Sequence, residues 1–266
     1  MKISSFNNDR IKYLRSLYRK KYRREEKKFV LEGVRIIEDA IKEKADFDQI
    51  YYSNYLLRNE RGNELLSNLQ QLNVEVIEID DSLLQRVADT ESPQGILAIV
   101  KKVDYKLSQI FDKENSLILI VDRIQDPGNL GTLIRTADAA GVDGIITTKG
   151  TVSLYNQKTI RATMGSLFRV PIYREENLME LKKHLESKEI VVGDIKGSEY
   201  HFDVDYSNSI AVIVGNEGNG PREGLIRIAD KKIKIPLLGD AESLNVAMAT
   251  GIILYEAVRQ KMVKKN

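Results

Sequence analysis

Two stretches near the end of the chain decide the fold: IVGNEGNGPRE (213–223) and IPLLGDAESLNVAMATGIILYE (235–256). The apolar run 210–214 predicts a buried strand that leads into a glycine-rich turn carrying one carboxylate, Glu217. The second stretch predicts another short strand, a tight polar loop and a long apolar helix. Two strand-to-loop exits this close together in the chain indicate one site for a small polar ligand.

A third loop, DRIQDPGNLGTLIRTADAAG (122–141), adds two candidate functional side chains. Asp126-Pro127-Gly128 predicts a turn, after which Asn129 is either a helix cap or a ligand-binding amide. Arg135 stands among apolar residues of the same helix, so we expect it to be partly buried. A partly buried arginine usually has a carboxylate or phosphate partner.

Each motif also has a purely structural interpretation. The turn GNEGNG (215–220) lacks the spacing G-x-G-x-x-G, and no G-K-[ST] follows it, so neither a dinucleotide fold nor a P-loop is indicated. Ser243 is a possible N-cap of the last helix. That helix is rich in small residues, which is typical of core or interface packing as well as of a binding site.

The remaining pattern predicts two α/β domains. Near-continuous apolar runs such as LILIV (117–121) and IAVIV (210–214) are typical of a parallel sheet covered on both faces. Earlier in the chain the order β-α-β-α-β-α-β predicts a small three-layer α/β domain. The expected organisation is a basic N-terminal helix (1–28), a small domain (29–103), a linker (104–115) and a second domain (116–266).

Composition excludes several classes of function. The 266 residues are 42% hydrophobic, enough for a packed core, and they include no cysteine and only two histidines, His184 and His201. A disulfide framework, a thiolate zinc site and a cysteine nucleophile are therefore excluded, and a histidine metal cluster or serine–histidine triad is not expected. No run approaches the ~18 apolar residues of a membrane span, and the N-terminus has no signal-peptide core. We expect a soluble cytoplasmic protein without a metal.

Charge is distributed unevenly along the chain. Residues 1–28 hold 11 Lys/Arg against 3 Asp/Glu, a balance of +8, so the other 238 residues sum to −6 for the overall +2. Apolar residues recur at helical spacing within this basic run. A basic helix of this kind suits a phosphate-rich partner such as RNA, which we favour over the alternative of a solvated helix docked on the body.

The three loops, in this order, resemble the three motifs of the SpoU (TrmH-type) RNA ribose methyltransferases of the SPOUT class. The resemblance extends over the whole chain, because FVLEGVRIIEDA (29–40) and VADTESPQGILAIV (87–100) resemble the small N-terminal RNA-binding domain of that family. It implies a C-terminal parallel-sheet α/β domain with a deep trefoil knot formed by about 210–256. It also implies a homodimer built partly on the final helix, at 246–254.

The resemblance further implies S-adenosylmethionine as cofactor and assigns residues to it. Similar enzymes hold this methyl donor largely through main-chain groups, at positions that match Gly215, Ile235 and Leu244. The neighbouring residues Asn216 and Leu238 are expected to line the same pocket.

The implied reaction is in-line transfer of a methyl group to a ribose 2′-hydroxyl, which must lose its proton. Arg135 matches the arginine assigned that role in the family, but a guanidinium with a pKa above ~12 is a poor base. We expect Arg135 to bind RNA phosphate and stabilise the developing alkoxide, with Glu217 as the alternative base. Asn129 and Glu217 would orient the nucleotide and Arg135, and Ser243 and Asn245 would shape the cleft.

The favoured substrate is ribosomal RNA. Alternatives are a transfer-RNA ribose methyltransferase of the same family, a non-catalytic RNA-binding protein with this fold, and, more distantly, a nucleotide-cofactor oxidoreductase.

Overall fold

The computed structural model describes residues 2–111, 113–175 and 177–263. The chain forms two compact units. The first comprises the residues up to Val103 together with Tyr155–Phe168, and the second comprises Asp104–Leu154 and the residues from Arg169 onward. The boundary between Val103 and Asp104 falls at the expected junction. Residues 155–168, in contrast, were expected in the second domain.

The first unit contains a mixed five-stranded sheet in the order β1-β4-β3-β5-β2. Strands β1, β4 and β3 are mutually parallel, and β5 runs antiparallel to both β3 and β2. Its strands are β1 (Lys2–Ile3), β2 (Lys28–Glu32), β3 (Phe47–Tyr52), β4 (Glu75–Ile79) and β5 (Ile96–Lys101). Its helices are α1 (Asp9–Ser16), α2 (Lys20–Glu25), α3 (Val34–Lys42), α4 (Glu60–Gln70), α5 (Asp81–Val87) and α8 (Gln157–Thr163), with 3-10 turns at Leu56–Arg58 and Ser166–Phe168.

The basic N-terminal segment is part of this unit and is not a single helix. It contains strand β1 and two short helices, with a break at Leu17–Arg19. Ile11, Leu14 and Leu17 are fully buried in a core shared with β3, β4 and α5. The expectation of one basic helix was therefore wrong: the helical spacing is divided between two short helices, and its apolar residues dock the segment onto the sheet.

The segment Tyr155–Phe168 joins the first unit through contacts with β2. The side-chain amide of Gln157 donates a 3.0 Å hydrogen bond to the carbonyl of Val30, and the rings of Tyr155 and Phe29 lie 4.6 Å apart. Arg161 forms an ion pair with Asp89. Sequence periodicity located α8 but could not show which sheet it would cover.

The second unit contains a seven-stranded, fully parallel sheet in the order β10-β12-β9-β11-β6-β7-β8. Its strands are β6 (Leu117–Val121), β7 (Gly144–Thr148), β8 (Ile172–Glu175), β9 (Glu189–Gly193), β10 (Glu199–Tyr200), β11 (Ile210–Val214) and β12 (Lys231–Lys234). Its helices are α6 (Ser108–Phe111), α7 (Pro127–Ala139), α9 (Leu178–Leu185), α10 (Glu223–Ile228) and α11 (Val246–Val263), with a 3-10 turn at His201–Asp203.

Both faces of this sheet are covered, as its apolar strands predicted. Alternate residues of β6 point to opposite sides: Leu117, Leu119 and Val121 join the core beneath α7 and α11, and Ile118 and Ile120 join the core beneath α9 and α10. The expected α/β class with a parallel sheet is confirmed. The two-residue strand β10 and the short helix α10 were not predicted, since neither is long enough to show a period.

Within the described ranges, no helix combines the length and apolar character that crossing a membrane requires.

Candidate active site

Three loops meet at the carboxyl edge of the second sheet. They follow β6, β11 and β12, and because these strands are parallel their loops emerge on the same side. Strand β11 lies between β6 and β9, with Val214 paired with Val121. This arrangement brings residues 122–129, 215–222 and 235–245 together.

A pocket of about 550 Å³ opens between these loops and the turn after β9. This is an ordinary size for a small-molecule site. Of the predicted residues, six line it: Gly215, Asn216, Glu217, Ile235, Ser243 and Leu244. Apolar cover comes also from Ile195, Ile226 and Leu237, and Lys196 and Lys234 lie at its wall.

Leu238 was expected to line this pocket, and the structure contradicts that expectation. Its side chain is 98% exposed, while the preceding residue, Leu237, lines the pocket in its place. In an extended loop, neighbouring side chains point in opposite directions. An alignment shifted by one residue therefore assigns to the pocket a side chain that faces solvent.

The glycine-rich loop closes tightly at its base. A Cβ added to Gly215 would lie 2.0 Å from the backbone nitrogen of Pro221, so a side chain here would collide with the main chain. The two ends of the loop therefore touch each other, and residues 215–221 all line the pocket. Glycine is therefore required at 215 by the packing of the loop on itself, and close approach of a ligand at this position stays a prediction.

Three predicted polar residues form one line of hydrogen bonds. The backbone amide of Ala247 donates to Asn245 Oδ1 (2.9 Å), Asn245 Nδ2 donates to Asn129 Oδ1 (3.0 Å), and Asn129 Nδ2 donates to Glu217 Oε1 (3.0 Å). The line runs from the first turn of α11, through α7, to the carboxylate on the glycine-rich loop. Asn129 and Asn245 thus stand beside the pocket and orient the one carboxylate that lines it at this loop.

The structure also shows which residues cap the helices α7 and α11. Asp126, not Asn129, caps α7 by accepting a bond from the Asn129 backbone amide. Asn245, not Ser243, accepts from the first amides of α11, which leaves Ser243 exposed at the pocket. Asn245 therefore both caps a helix and holds Asn129.

Arg135 differs from the expectation of partial burial. It is exposed on α7, and within the described part of the chain its guanidinium has no hydrogen-bond or ion-pair partner. It is not bonded to Asn129 or Glu217, so these residues do not orient it. Its position among Leu133, Ile134 and Ala137 suggested burial, but those three residues and Leu130 face the core, and Arg135 lies on the exposed side of α7.

A buried ionic cluster beneath the loops was not predicted. Asp122 is fully buried and accepts from Arg222 Nε (2.7 Å), the Arg222 backbone amide (2.9 Å), Thr148 Oγ1 (2.6 Å) and Arg123 Nε (3.2 Å). Burial alone would raise the pKa of Asp122, but the hydrogen bonds from Arg222 and Thr148 outweigh burial and hold that pKa below its ordinary 3.8. The feature of the sequence that could have indicated this cluster is the position of Asp122 directly after a buried strand.

Comparison with known protein families identifies the chain. The model of the SpoU rRNA Methylase family matches residues 116–255, more than half of the sequence. The chain belongs to the SpoU rRNA methylase family. Residues 8–98 match a second model, the MRM3-like substrate binding domain. The family expected from the three motifs is thereby confirmed.

SpoU relatives resemble the chain along nearly its whole length. A 23S rRNA (guanosine(2553)-2′-O)-methyltransferase, RlmP of Bacillus subtilis, is 35% identical over 256 residues, covering 95% of this chain and 97% of that protein. The SpoU methyltransferase AviRb of Streptomyces viridochromogenes, solved in complex with the cofactor AdoMet, is 30% identical with a TM-score of 0.89, covering 96% and 99%. An AdoMet-bound rRNA methyltransferase of Sinorhizobium meliloti is 32% identical with a TM-score of 0.87, covering 97% of each chain.

Among the described residues of this SpoU protein, no group of three or more His, Cys, Asp or Glu side chains is arranged to hold a metal ion.

Proposed function

We propose that the protein transfers a methyl group from S-adenosylmethionine to a ribose 2′-hydroxyl of ribosomal RNA. The observation that carries this proposal is the line Asn245–Asn129–Glu217, which ends on a carboxylate lining the pocket. Membership of the SpoU rRNA methylase family supports the reaction class, and a relative named as a 23S rRNA 2′-O-methyltransferase supports ribosomal RNA as substrate.

The pocket suits S-adenosylmethionine in shape and chemistry. Ile195, Ile235 and Leu244 offer apolar cover for an adenine ring, and the glycine-rich loop 215–220, which lines the same pocket, would lie beside the polar parts of the ligand. Glu217 supplies a negative charge for a ligand that carries a sulfonium. When bound, this cofactor supplies an electrophilic methyl group.

The residues of the line would act on the nucleophile. Glu217 lines the pocket; its Oε1 accepts a hydrogen bond from Asn129 Nδ2, and its Oε2 lies 3.4 Å from Asn216 Nδ2. We assign Oε2 to accept the proton of the ribose 2′-hydroxyl. The hydroxyl oxygen would bond to the methyl carbon as the bond between that carbon and sulfur breaks. The electron pair of the broken bond would stay on sulfur. Asn129 and Asn245 keep the carboxylate in place, and Ser243 shapes the cleft.

Arg135 would bind the RNA. Its exposed guanidinium, which has no hydrogen-bond or ion-pair partner among the described residues, would pair with a phosphate next to the target ribose, where it would also stabilise the developing alkoxide. The first unit would bind RNA elsewhere, which the match to a substrate binding domain supports. Its exposed basic residues include Arg19, Lys20, Lys21 and Arg24 on and next to α2.

The proposal includes a homodimer built on α11. Met248, Ile252 and Tyr255 form an exposed apolar stripe on α11, with 62%, 37% and 50% of their surfaces accessible, which suits a homodimer interface. Light scattering should then give twice the chain mass, and Tyr255→Glu should give a monomer.

We also propose the trefoil knot and a cytoplasmic location, as for an enzyme that acts on ribosomal RNA.

The decisive experiment combines binding and transfer. Calorimetry of the purified protein with S-adenosylhomocysteine should detect one site per chain. Incubation with tritiated S-adenosylmethionine and unmethylated 23S rRNA or transfer RNA, followed by nucleoside mass spectrometry, should give a 2′-O-methylated nucleoside from ribosomal RNA. Label in transfer RNA alone would favour the alternative substrate, and binding without transfer to either would favour the non-catalytic RNA-binding protein.

A further inference from the structure

We propose that Asp122 is a positioning residue that fixes both ends of the methyl-donor loop, Gly215–Pro221, through Arg222 and through its own backbone. This inference rests on the proposed function, because the loop matters only if it binds the donor. Asp122 is the first residue of the loop 122–141 but is not among the site residues expected from the sequence, and it does not line the pocket.

The backbone of Asp122 holds the first end of the loop. Its amide donates a 2.9 Å hydrogen bond to the carbonyl of Val214, the last residue of β11. This bond extends the pairing of β6 and β11 by one residue and sets the point at which the loop leaves the sheet. Gly215 follows directly.

The carboxylate of Asp122 holds the second end. Oδ2 accepts from the backbone amide of Arg222, the residue after Pro221, and Oδ1 accepts from the Arg222 side chain. The same guanidinium donates to Thr148 Oγ1 (3.0 Å) and to the carbonyl of Lys149 (2.8 Å). Arg222 is therefore tied to the ends of both β6 and β7.

A second branch of the cluster, through Arg123, contacts the loop one residue inside each of its ends. Arg123 Nε donates to Asp122 Oδ2, and Arg123 Nη2 donates to the carbonyl of Gly220. The backbone carbonyl of Arg123 accepts from Asn216 Nδ2 at 3.0 Å. Asn216 precedes Glu217, so this branch fixes the backbone next to the proposed base.

All acceptor positions of Asp122 are used. A carboxylate offers about four lone-pair positions, and Asp122 accepts four hydrogen bonds while fully buried. Loss of its charge would leave Arg222 uncompensated at the base of the loop. The loop would then lose its attachment to β6 at one end, and Glu217 would lose its fixed position.

The test measures the loop directly. Asp122→Asn should weaken binding of S-adenosylhomocysteine in calorimetry by roughly 10- to 100-fold, the range expected for losing hydrogen bonds to a charged group. Amide hydrogen exchange should accelerate at 215–222. The RNA affinity of the donor-free protein should remain at the wild-type value.

A milder pair of variants keeps the test informative if Asp122→Asn folds poorly. Thr148→Val removes one donor to Asp122, whereas Thr147→Val makes the same change at the neighbouring buried position of β7, where the hydroxyl lies 3.4 Å from the carbonyl of Tyr173. Only Thr148→Val should accelerate exchange in the loop and weaken the donor. The double variant Asp122→Asn with Arg222→Gln should bind the donor more tightly than Asp122→Asn alone, since the charge of Arg222 no longer lies at the base of the loop without a carboxylate.

Two results would overturn the inference. One is wild-type donor affinity and loop exchange in Asp122→Asn. The other is equal effects of the two threonine variants, which would indicate a general packing role. Failure of the proposed function is distinguishable, because the wild-type protein itself would then bind no donor.

Discussion

Asn245 Nδ2 donates a 3.0 Å hydrogen bond to Asn129 Oδ1, across 116 residues of sequence. The orientation of both amides follows from the chain of donors. Since Asn245 Oδ1 accepts from the backbone amide of Ala247, its NH₂ group must face Asn129, whose own NH₂ group must face Glu217. Glu217 Oε1 is thereby fixed as an acceptor, at the end of a line that starts at the positive end of α11.

This line gives the first prediction. Asn129→Asp should lower kcat on the order of 10²-fold, because a carboxylate replaces the donor to Glu217 and the proton acceptor loses its position. The affinity for S-adenosylhomocysteine should change little, since Asn129 does not line the pocket. Single-turnover methyl transfer and calorimetry measure the two effects. Asn208→Asp, an exposed change in the same unit, is the control.

A double variant separates geometry from charge. In Asn129→Asp with Glu217→Gln, the glutamine amide can donate to the new carboxylate, so the hydrogen bond is restored with the charge moved to position 129. Transfer should stay as slow as in the single variant if the carboxylate must stand at 217. Recovery to near the wild-type rate would contradict the proposed role of Glu217.

Leu237 and Leu238 give a prediction with a built-in control. Leu237→Ala removes apolar surface from the pocket and should weaken donor binding by about 1–2 kcal/mol, roughly 5- to 30-fold, allowing for partial burial. Leu238→Ala makes the same change one residue later, on a side chain that is 98% exposed, and should leave the affinity unchanged. Calorimetry with S-adenosylhomocysteine decides. A larger loss at Leu238 would mean that the loop adopts another conformation when it binds the donor.

The sequence predicted the second unit well because its signals are local. Apolar runs specified the buried parallel strands, and glycine, asparagine and carboxylate residues at their ends located the site. Ser243, Glu217, Gly215, Asn216, Ile235 and Leu244 all line the pocket as expected. The error at Leu238 shows the limit, since no period exists in an irregular loop from which to read the direction of a side chain.

Features that depend on distant contacts were not predicted. The cluster of Asp122, Arg222 and Thr148 joins residues up to 100 positions apart, and each of them alone resembles an ordinary polar residue in a loop. The membership of 155–168 in the first unit depends likewise on contacts with Phe29 and Val30. Contacts between residues so far apart in the sequence are decided by tertiary packing. Secondary-structure propensity and the spacing of residues do not predict them.

Arg135 provides the third prediction. Arg135→Ala should reduce methyl transfer at limiting RNA and lower the slope of log affinity against log salt by about 1, the effect of losing one phosphate contact. Donor affinity should be retained. Arg227→Ala is the matched control, because Arg227 is an exposed arginine of the same unit paired with Glu223. Equal loss of donor binding in Arg135→Ala would show that the residue is structural.

The basic N-terminal segment requires a substitution test instead of a deletion. Removing 1–28 would take Ile11, Leu14 and Leu17 out of the core, so unfolding would obscure any effect on RNA. Changing the exposed residues Lys20, Lys21 and Arg24 together to Gln should lower the salt slope of RNA binding by about 2–3. A matched triple change in the second unit, at Lys182, Arg227 and Lys232, should lower the slope less. An equal decrease would indicate a contribution of net charge alone.

Asp122 gives a pH-dependent prediction for stability. The hydrogen bonds from Arg222 and Thr148 hold its folded pKa below the ordinary 3.8, so its contribution is fully present above about pH 4 and is lost as the pH falls through the folded value. Asp122→Asn should therefore cost about 3 kcal/mol of unfolding free energy at pH 7, and this difference from the wild type should shrink below pH 4. Urea unfolding at pH 7, 5 and 3 measures it. Asp240→Asn, at an exposed position, should show no difference across this range, whereas a wild-type advantage that persisted undiminished at pH 3 would mean that the carboxylate charge of Asp122 is not what stabilises the fold.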